Sequence, residues 1–227
     1  MTLIIVAVAI ALATAAQPRV DPPRAVSFQA EDGWVIHASL YGQGDRAVVL
    51  IHGGRFTKES WLPQAELLVK AGFVVLAIDL RGYGMSTEGP PALNPGFGSP
   101  LDALAAVRYL RERGAKTVSL VGASMGADAA AGASIASAPG EIDRLVLLAG
   151  SGGQPGAQLK GRKLFIVARD DANDAGPRLP KIRAQYEQAS EYKELLVLNG
   201  SAHAQYLFAT EQGDRLLRAI LNFLSGK

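Results

Sequence analysis

Beyond residue 25 the chain alternates short apolar runs with amphipathic ones, and the two periods predict strands and helices in turn. Val26–Phe28 and Trp34–Tyr41 alternate apolar and polar side chains around Glu31-Asp32-Gly33, the period-two pattern of an antiparallel hairpin. Ala47–Ile51, Phe73–Ile78, Thr117–Val121, Leu145–Ala149, Leu164–Ala168 and Leu195–Leu198 are apolar runs of strand length. Strands of that kind are buried on both faces. Between them, Trp61, Ala65, Leu68 and Val69 share one side of a helix over Ser60–Lys70, stopped by Gly72. Leu101, Leu104, Ala105 and Val107 mark a second helix over Leu101–Arg113, closed by Gly114. A helix of small residues follows Ser124 and runs to about Ser137, and further helices are expected near Lys181–Ala189 and Glu211–Leu224. Thr87–Pro100, rich in Pro and Gly, reads as a loop.

This alternation implies an α/β fold, a mainly parallel sheet with helices on both faces, entered through an N-terminal antiparallel hairpin. Ligands of such sheets sit beyond the carboxyl ends of the strands. His52, Asp79, Ser124, Gly150, Asp170-Asp171 and the Gly200–His203 loop all fall at or just past those ends.

The first residues follow a different pattern. Leu3–Ala13 is continuously apolar, Ala13-Thr14-Ala15-Ala16-Gln17 offers small residues for cleavage, and Pro18 and Pro22-Pro23 open a polar stretch. That is the layout of a secretory signal peptide, although Met1-Thr2 supplies no basic residue. The expected organisation is a signal peptide over 1–16, a linker over 17–25 and one domain over 26–227. A cleaved leader implies an exported protein, periplasmic or secreted, with no stable membrane span left. An uncleaved one anchors the protein by its N-terminus. The apolar run is shorter than the roughly 20 residues of a comfortable span.

Composition narrows the chemistry. The 227 residues suit one α/β domain with a sizeable core. Lys+Arg 23 nearly balance Asp+Glu 21, and no basic run carries interleaved aromatics, so nucleic acid is not an expected partner. The absence of cysteine excludes a thiol nucleophile and a Cys-ligated metal. The 3 histidines, at positions 37, 52 and 203, are too scattered for a His-rich metal site.

Val118-Ser119-Leu120-Val121-Gly122-Ala123-Ser124-Met125-Gly126-Ala127 then becomes the most informative stretch. A Gly-x-Ser-x-Gly pentapeptide between a strand and a helix lifts a serine hydroxyl above the sheet edge. The helix start beside it offers unpaired N–H groups to an oxyanion. A serine hydroxyl needs a base. His203, in the loop after the last strand, is favoured over His52, whose role is to shape a loop that contributes an oxyanion N–H beside that of Met125. The imidazole in turn needs a carboxylate. No acid follows Leu145–Ala149, whereas Arg169-Asp170-Asp171-Ala172-Asn173-Asp174 follows Leu164–Ala168. Asp171 is preferred, with Asp170 and Asp174 as alternatives, and Asp79 is read as bracing its own loop.

The order Ser…Asp…His, the His52-Gly53 strand end, the stretch Asp79-Leu80-Arg81-Gly82-Tyr83-Gly84-Met85-Ser86 and the elbow around Ser124 together resemble the α/β-hydrolase superfamily. The resemblance covers nearly the whole chain after the leader. It implies Ser124 as nucleophile, His203 as base, Asp171 as acid, and the backbone N–H groups of Gly54 and Met125 as oxyanion donors. Family members commonly carry Gly-x-x-Asp at the acid position, and Ala168 stands where that glycine would be. Only Gly150–Arg162 separates the strands between which many relatives insert a helical lid, which implies a cap-less site, open unless Thr87–Pro100 covers it. Arg55, Phe56 and Trp61 lie near the oxyanion loop and are read either as substrate contacts or, equally, with Trp61 packing helix to sheet and Arg55 solvated. The implied activity is a serine hydrolase acting on a small acyl substrate, an ester or a related bond, without metal or organic cofactor. Amidase or peptidase, thioesterase and perhydrolase chemistry use the same residues, and a binding protein without turnover is the alternative of another class. Oligomeric state is not encoded in these patterns.

Overall fold

The computed structural model describes residues 21–90 and 99–226. The expected leader, residues 17–20 of the linker and the middle of the Thr87–Pro100 loop lie outside the described residues.

The sheet begins as the hairpin β1 (Arg24–Gln29) and β2 (Val35–Tyr41), paired antiparallel from Arg24 opposite Leu40 to Gln29 opposite Val35. Arg24 and Ala25, assigned to the linker by composition, already belong to β1. The parallel strands are β3 (Arg46–Ile51), β4 (Val74–Ile78), β5 (Thr117–Ala123), β6 (Arg144–Leu148), β7 (Arg162–Ala168) and β10 (Lys193–Leu198). Their order in the eight-stranded sheet is β1-β2-β4-β3-β5-β6-β7-β10. A separate two-residue ladder, β8 (Ala172–Asn173) with β9 (Gly176–Pro177), lies outside that sheet.

Side-chain alternation along each central strand feeds two cores. Ala47, Val49 and Ile51 of β3 face the helices α2 (Pro100–Glu112), α3 (Met125–Ala136) and α4 (Arg178–Gln188), where Val107, Ala130 and Ile182 are buried. Val48 and Leu50 face α1 (Leu62–Lys70) and α5 (Gly213–Ser225) on the other side, with Leu68, Leu216 and Ile220. Helices on both faces explain why these strands read as unbroken apolar runs.

Register then aligns the strand ends. Ile51 pairs with both Ile78 and Gly122, Ala123 with Leu148, and Leu198 with Ala168. The residues that follow these positions are therefore delivered to one rim of the sheet.

Candidate active site

A single residue, Ser124, separates β5 from α3. So abrupt a turn forces its backbone to φ 52° and ψ −116°, a conformation that costs a residue with a Cβ about 1–3 kcal/mol. Main-chain bonds hold it there. Its N–H donates to Leu148 O at 2.8 Å, and its carbonyl accepts from Ala127 N–H at 2.9 Å and Asp128 N–H at 3.2 Å. The flanking glycines are required by contact. A Cβ on Gly122 would collide with Gly126 O, and one on Gly126 with the carbonyl oxygens of Ile51 and His52.

Three of the residues singled out from the sequence meet at this rim. Ser124 Oγ lies 2.8 Å from His203 Nε2, and His203 Nδ1 lies 2.8 Å from Asp171 Oδ2. With the hydroxyl donating to Nε2, the ring proton sits on Nδ1 and is donated to the carboxylate. Asp171 is 1% exposed, whereas Asp170 and Asp174 lie exposed in the same loop. The β8–β9 ladder, not anticipated from the sequence, shapes that loop. Its base closes where Arg178 N–H donates to Asp171 O at 2.9 Å.

The loop after β3 carries the expected oxyanion donors. Gly53 N–H is already taken, donating to Gln205 Oε1 at 2.8 Å, while Gln205 Nε2 donates to Ser60 Oγ at 2.8 Å. Among the described residues, no acceptor meets the N–H of Gly54 or that of Met125. The two are neighbours, since a Cβ on Gly54 would stand 4.0 Å from Met125 Sδ. Gln205 was not singled out from the sequence. Its position two residues after His203 is the only local signal of its part in the site.

His52 is occupied as a brace. Its Nδ1–H donates to Gly53 O at 2.8 Å and its Nε2 accepts Leu80 N–H at 3.1 Å, which ties the ends of β3 and β4 together. Burial pushes its pKa below the ordinary 6.5, so the ring stays neutral. Asp79 accepts from Lys58 N–H at 2.8 Å, Lys58 Nζ at 2.7 Å and Met85 N–H at 3.0 Å, and so holds its own loop. Of the two readings of Trp61 the structure takes the packing one: the side chain is 1% exposed and packs edge-on against Phe208, with ring centroids 5.8 Å apart. Its place on the α1 side of the sheet gives it a core role.

A groove of about 470 Å³ opens over Ser124 and His203. Arg55 and Phe56 line it as expected, joined by Tyr206 and Arg178. Phe56 and Tyr206 meet with centroids 5.1 Å apart and planes inclined by 56°, forming an aromatic wall.

An α/β sheet of this order with a serine elbow at its rim defines the class, the α/β hydrolases. Residues 48–222 match the model of the alpha/beta hydrolase family, and the chain belongs to that family. It is 31% identical over 121 residues to the 2-hydroxy-6-oxononadienedioate/2-hydroxy-6-oxononatrienedioate hydrolase of Escherichia coli, a match covering 52% of this chain and 41% of that protein. The aligned segment is thus less than half of the relative's length. Among solved structures, an esterase from Pyrococcus furiosus superposes with TM-score 0.73 at 20% identity, covering 90% of this chain and 92% of the other. Dienelactone hydrolase from Anabaena variabilis superposes with TM-score 0.71 at 20% identity over 91% and 99%. At such identities the likeness shows the fold. Among the described residues, no helix is long and apolar enough to cross a membrane.

Proposed function

We propose that this protein is a serine hydrolase that cleaves carboxylic esters through an acyl-enzyme on Ser124. His203 Nε2 takes the hydroxyl proton as Ser124 Oγ bonds to the ester carbonyl carbon. Asp171 holds the ring in the tautomer that leaves Nε2 free to accept and stabilises the imidazolium. The N–H groups of Gly54 and Met125 donate to the oxyanion. The tetrahedral centre collapses, the C–O bond to the alcohol breaks, and His203 returns the proton to the departing oxygen. Water then repeats the cycle, releasing the acid and regenerating Ser124.

The observation that carries this reading is the unbroken chain Ser124–His203–Asp171, with both links at 2.8 Å. It hangs on a serine whose backbone is held in an unfavourable conformation. Strain of that kind persists where the surrounding structure over-determines it, and it clusters at functional sites. The esterase among the structures that share this fold supports ester chemistry, while the Escherichia coli relative, named for a keto-dienedioate that carries no ester, supports hydrolysis in general.

Ser124→Ala tests it. The variant should fold with unchanged circular dichroism, hydrolyse no 4-nitrophenyl ester above background and take up no fluorophosphonate probe. An active, labelled Ser124→Ala protein would overturn the assignment.

A further inference from the structure

Arg178 is a charged residue of the groove that the proposed chemistry does not use. Its side chain is 18% exposed, and none of its N–H donors makes a hydrogen bond to a described residue. Nε is buried without a hydrogen-bond acceptor, and its one ionic contact among the described residues is Asp171 Oδ1 at 3.4 Å. The buried Nε–H is left without an acceptor, which costs stability, and the remaining guanidinium donors are available to the groove that Arg178 lines.

Its position in the fold makes the cost greater. Arg178 is the first residue of α4, where the helix dipole disfavours a cation. The first turn of α4 holds no acidic residue to offset it. The neighbouring carboxylates have donors of their own. Asp171 takes the His203 Nδ1–H, and Asp128 accepts from Ser151 N–H at 2.8 Å and Ser151 Oγ at 2.9 Å. Arg55 adds a second positive charge to the groove wall, and among its described lining residues there is no carboxylate.

From these observations we infer that Arg178 is a specificity residue that receives a carboxylate of the substrate, so that the preferred esters are anionic. This rests on the serine hydrolase reading and names the substrate class of the same site. A planar fork of N–H donors suits a carboxylate better than any neutral group. The groove's aromatic wall at Phe56 and Tyr206 is left to the apolar part of the substrate.

Matched ester pairs test the inference. The first is the mono-4-nitrophenyl ester of adipic acid against its methyl-capped counterpart, which varies charge on the acyl side. The second is 4-butyryloxybenzoic acid against its methyl ester, which varies it on the alcohol side. In at least one pair the wild type should show the higher kcat/KM for the acid, and rising salt should narrow that preference. Arg178→Met should lower the acid-to-ester ratio about tenfold to a hundredfold, chiefly through KM, with Arg178→Lys recovering part of it. The ratio cancels any loss transmitted through Asp171, which a purely structural role would impose on both esters alike. The wild-type comparison and its salt dependence need no variant to fold. Turnover that requires Ser124 but favours the acid in neither pair, or a ratio unmoved in Arg178→Met, would overturn the inference alone. No turnover, or turnover independent of Ser124, would overturn the hydrolase reading and the inference with it.

Discussion

Gln205 joins the loop that carries His203 to the loop that carries Gly54, and its replacement by leucine should damage stability and turnover together. The side chain is 8% exposed and serves two partners at once, accepting from Gly53 N–H and donating to Ser60 Oγ, each at 2.8 Å. Leucine has similar bulk but leaves Gly53 N–H buried without an acceptor. Ser60 is less affected, because its hydroxyl already donates to Thr57 O at 2.6 Å. A buried donor stranded in this way costs about 1–3 kcal/mol, a fall in Tm of roughly 2–12 °C for a chain of this length. To recover water for that N–H the loop must move outward and take Gly54 with it. A shift on the order of 1 Å at a reacting centre costs about a hundredfold. The expectation is therefore a kcat reduced by about tenfold to a hundredfold with KM for a small ester little changed. Differential scanning fluorimetry and steady-state hydrolysis of 4-nitrophenyl butyrate read the two effects. A Gln205→Leu protein with wild-type Tm and wild-type kcat would show that the two loops hold their positions without this link.

Two further outcomes follow from the same geometry. Asp171→Asn should lose far more activity than Asp170→Asn, since only Asp171 reaches His203; equal losses, or the reverse order, measured as kcat/KM would remove Asp171 from the relay. His52 makes a pH prediction. Its pKa is pushed below 6.5 by burial, so between that value and its depressed native one the unfolded chain binds a proton that the native protein does not. Stability should be fully present above pH 6.5 and decline as the pH falls below it, with a shallower decline in His52→Asn. Urea midpoints between pH 7.5 and 5 check this, and parallel profiles for the two proteins would show that His52 titrates alike in both states.

Much of this architecture is legible because β3 to β7 are buried on both faces, which turns them into uninterrupted apolar runs such as Val74–Ile78. Their ends can be read within a residue or two, and the ends are what bring His52, Asp79 and Ser124 to one rim. The loop after β7 is harder. It offers three aspartates within five residues, and what separates Asp171 from its neighbours is the β8–β9 ladder, whose two-residue strands are too short to carry a hydrophobic period. Trp61 stays open between substrate contact and core packing in the sequence because proximity to Gly54 says nothing about which face of the sheet a helix covers. Gln205 and Arg178 escape for a further reason. Gln205 bonds to a residue 152 positions away, and Arg178 stands out only when its buried Nε is seen to lack a hydrogen-bond acceptor. Arrangements of that kind have no local signature.

The short ladder after β7 also bears on how such a protein changes over time. Asp171 and Arg178 sit at its two feet, clamped to each other by a main-chain bond, while its tip at Asp174 and Ala175 is exposed and held by Asn173 Oδ1, which accepts from Ala175 N–H at 3.0 Å, and by a long 3.5 Å contact from Lys181 Nζ to Ala175 O. Insertions or exchanges at the tip can therefore extend or recolour the groove wall without disturbing the clamp beneath. Exposed tips of this sort are where chains tolerate change. The ladder thus separates a part free to vary from a part that must not, and residues 174–175 are the natural place to graft new substrate contacts onto an unchanged reaction centre.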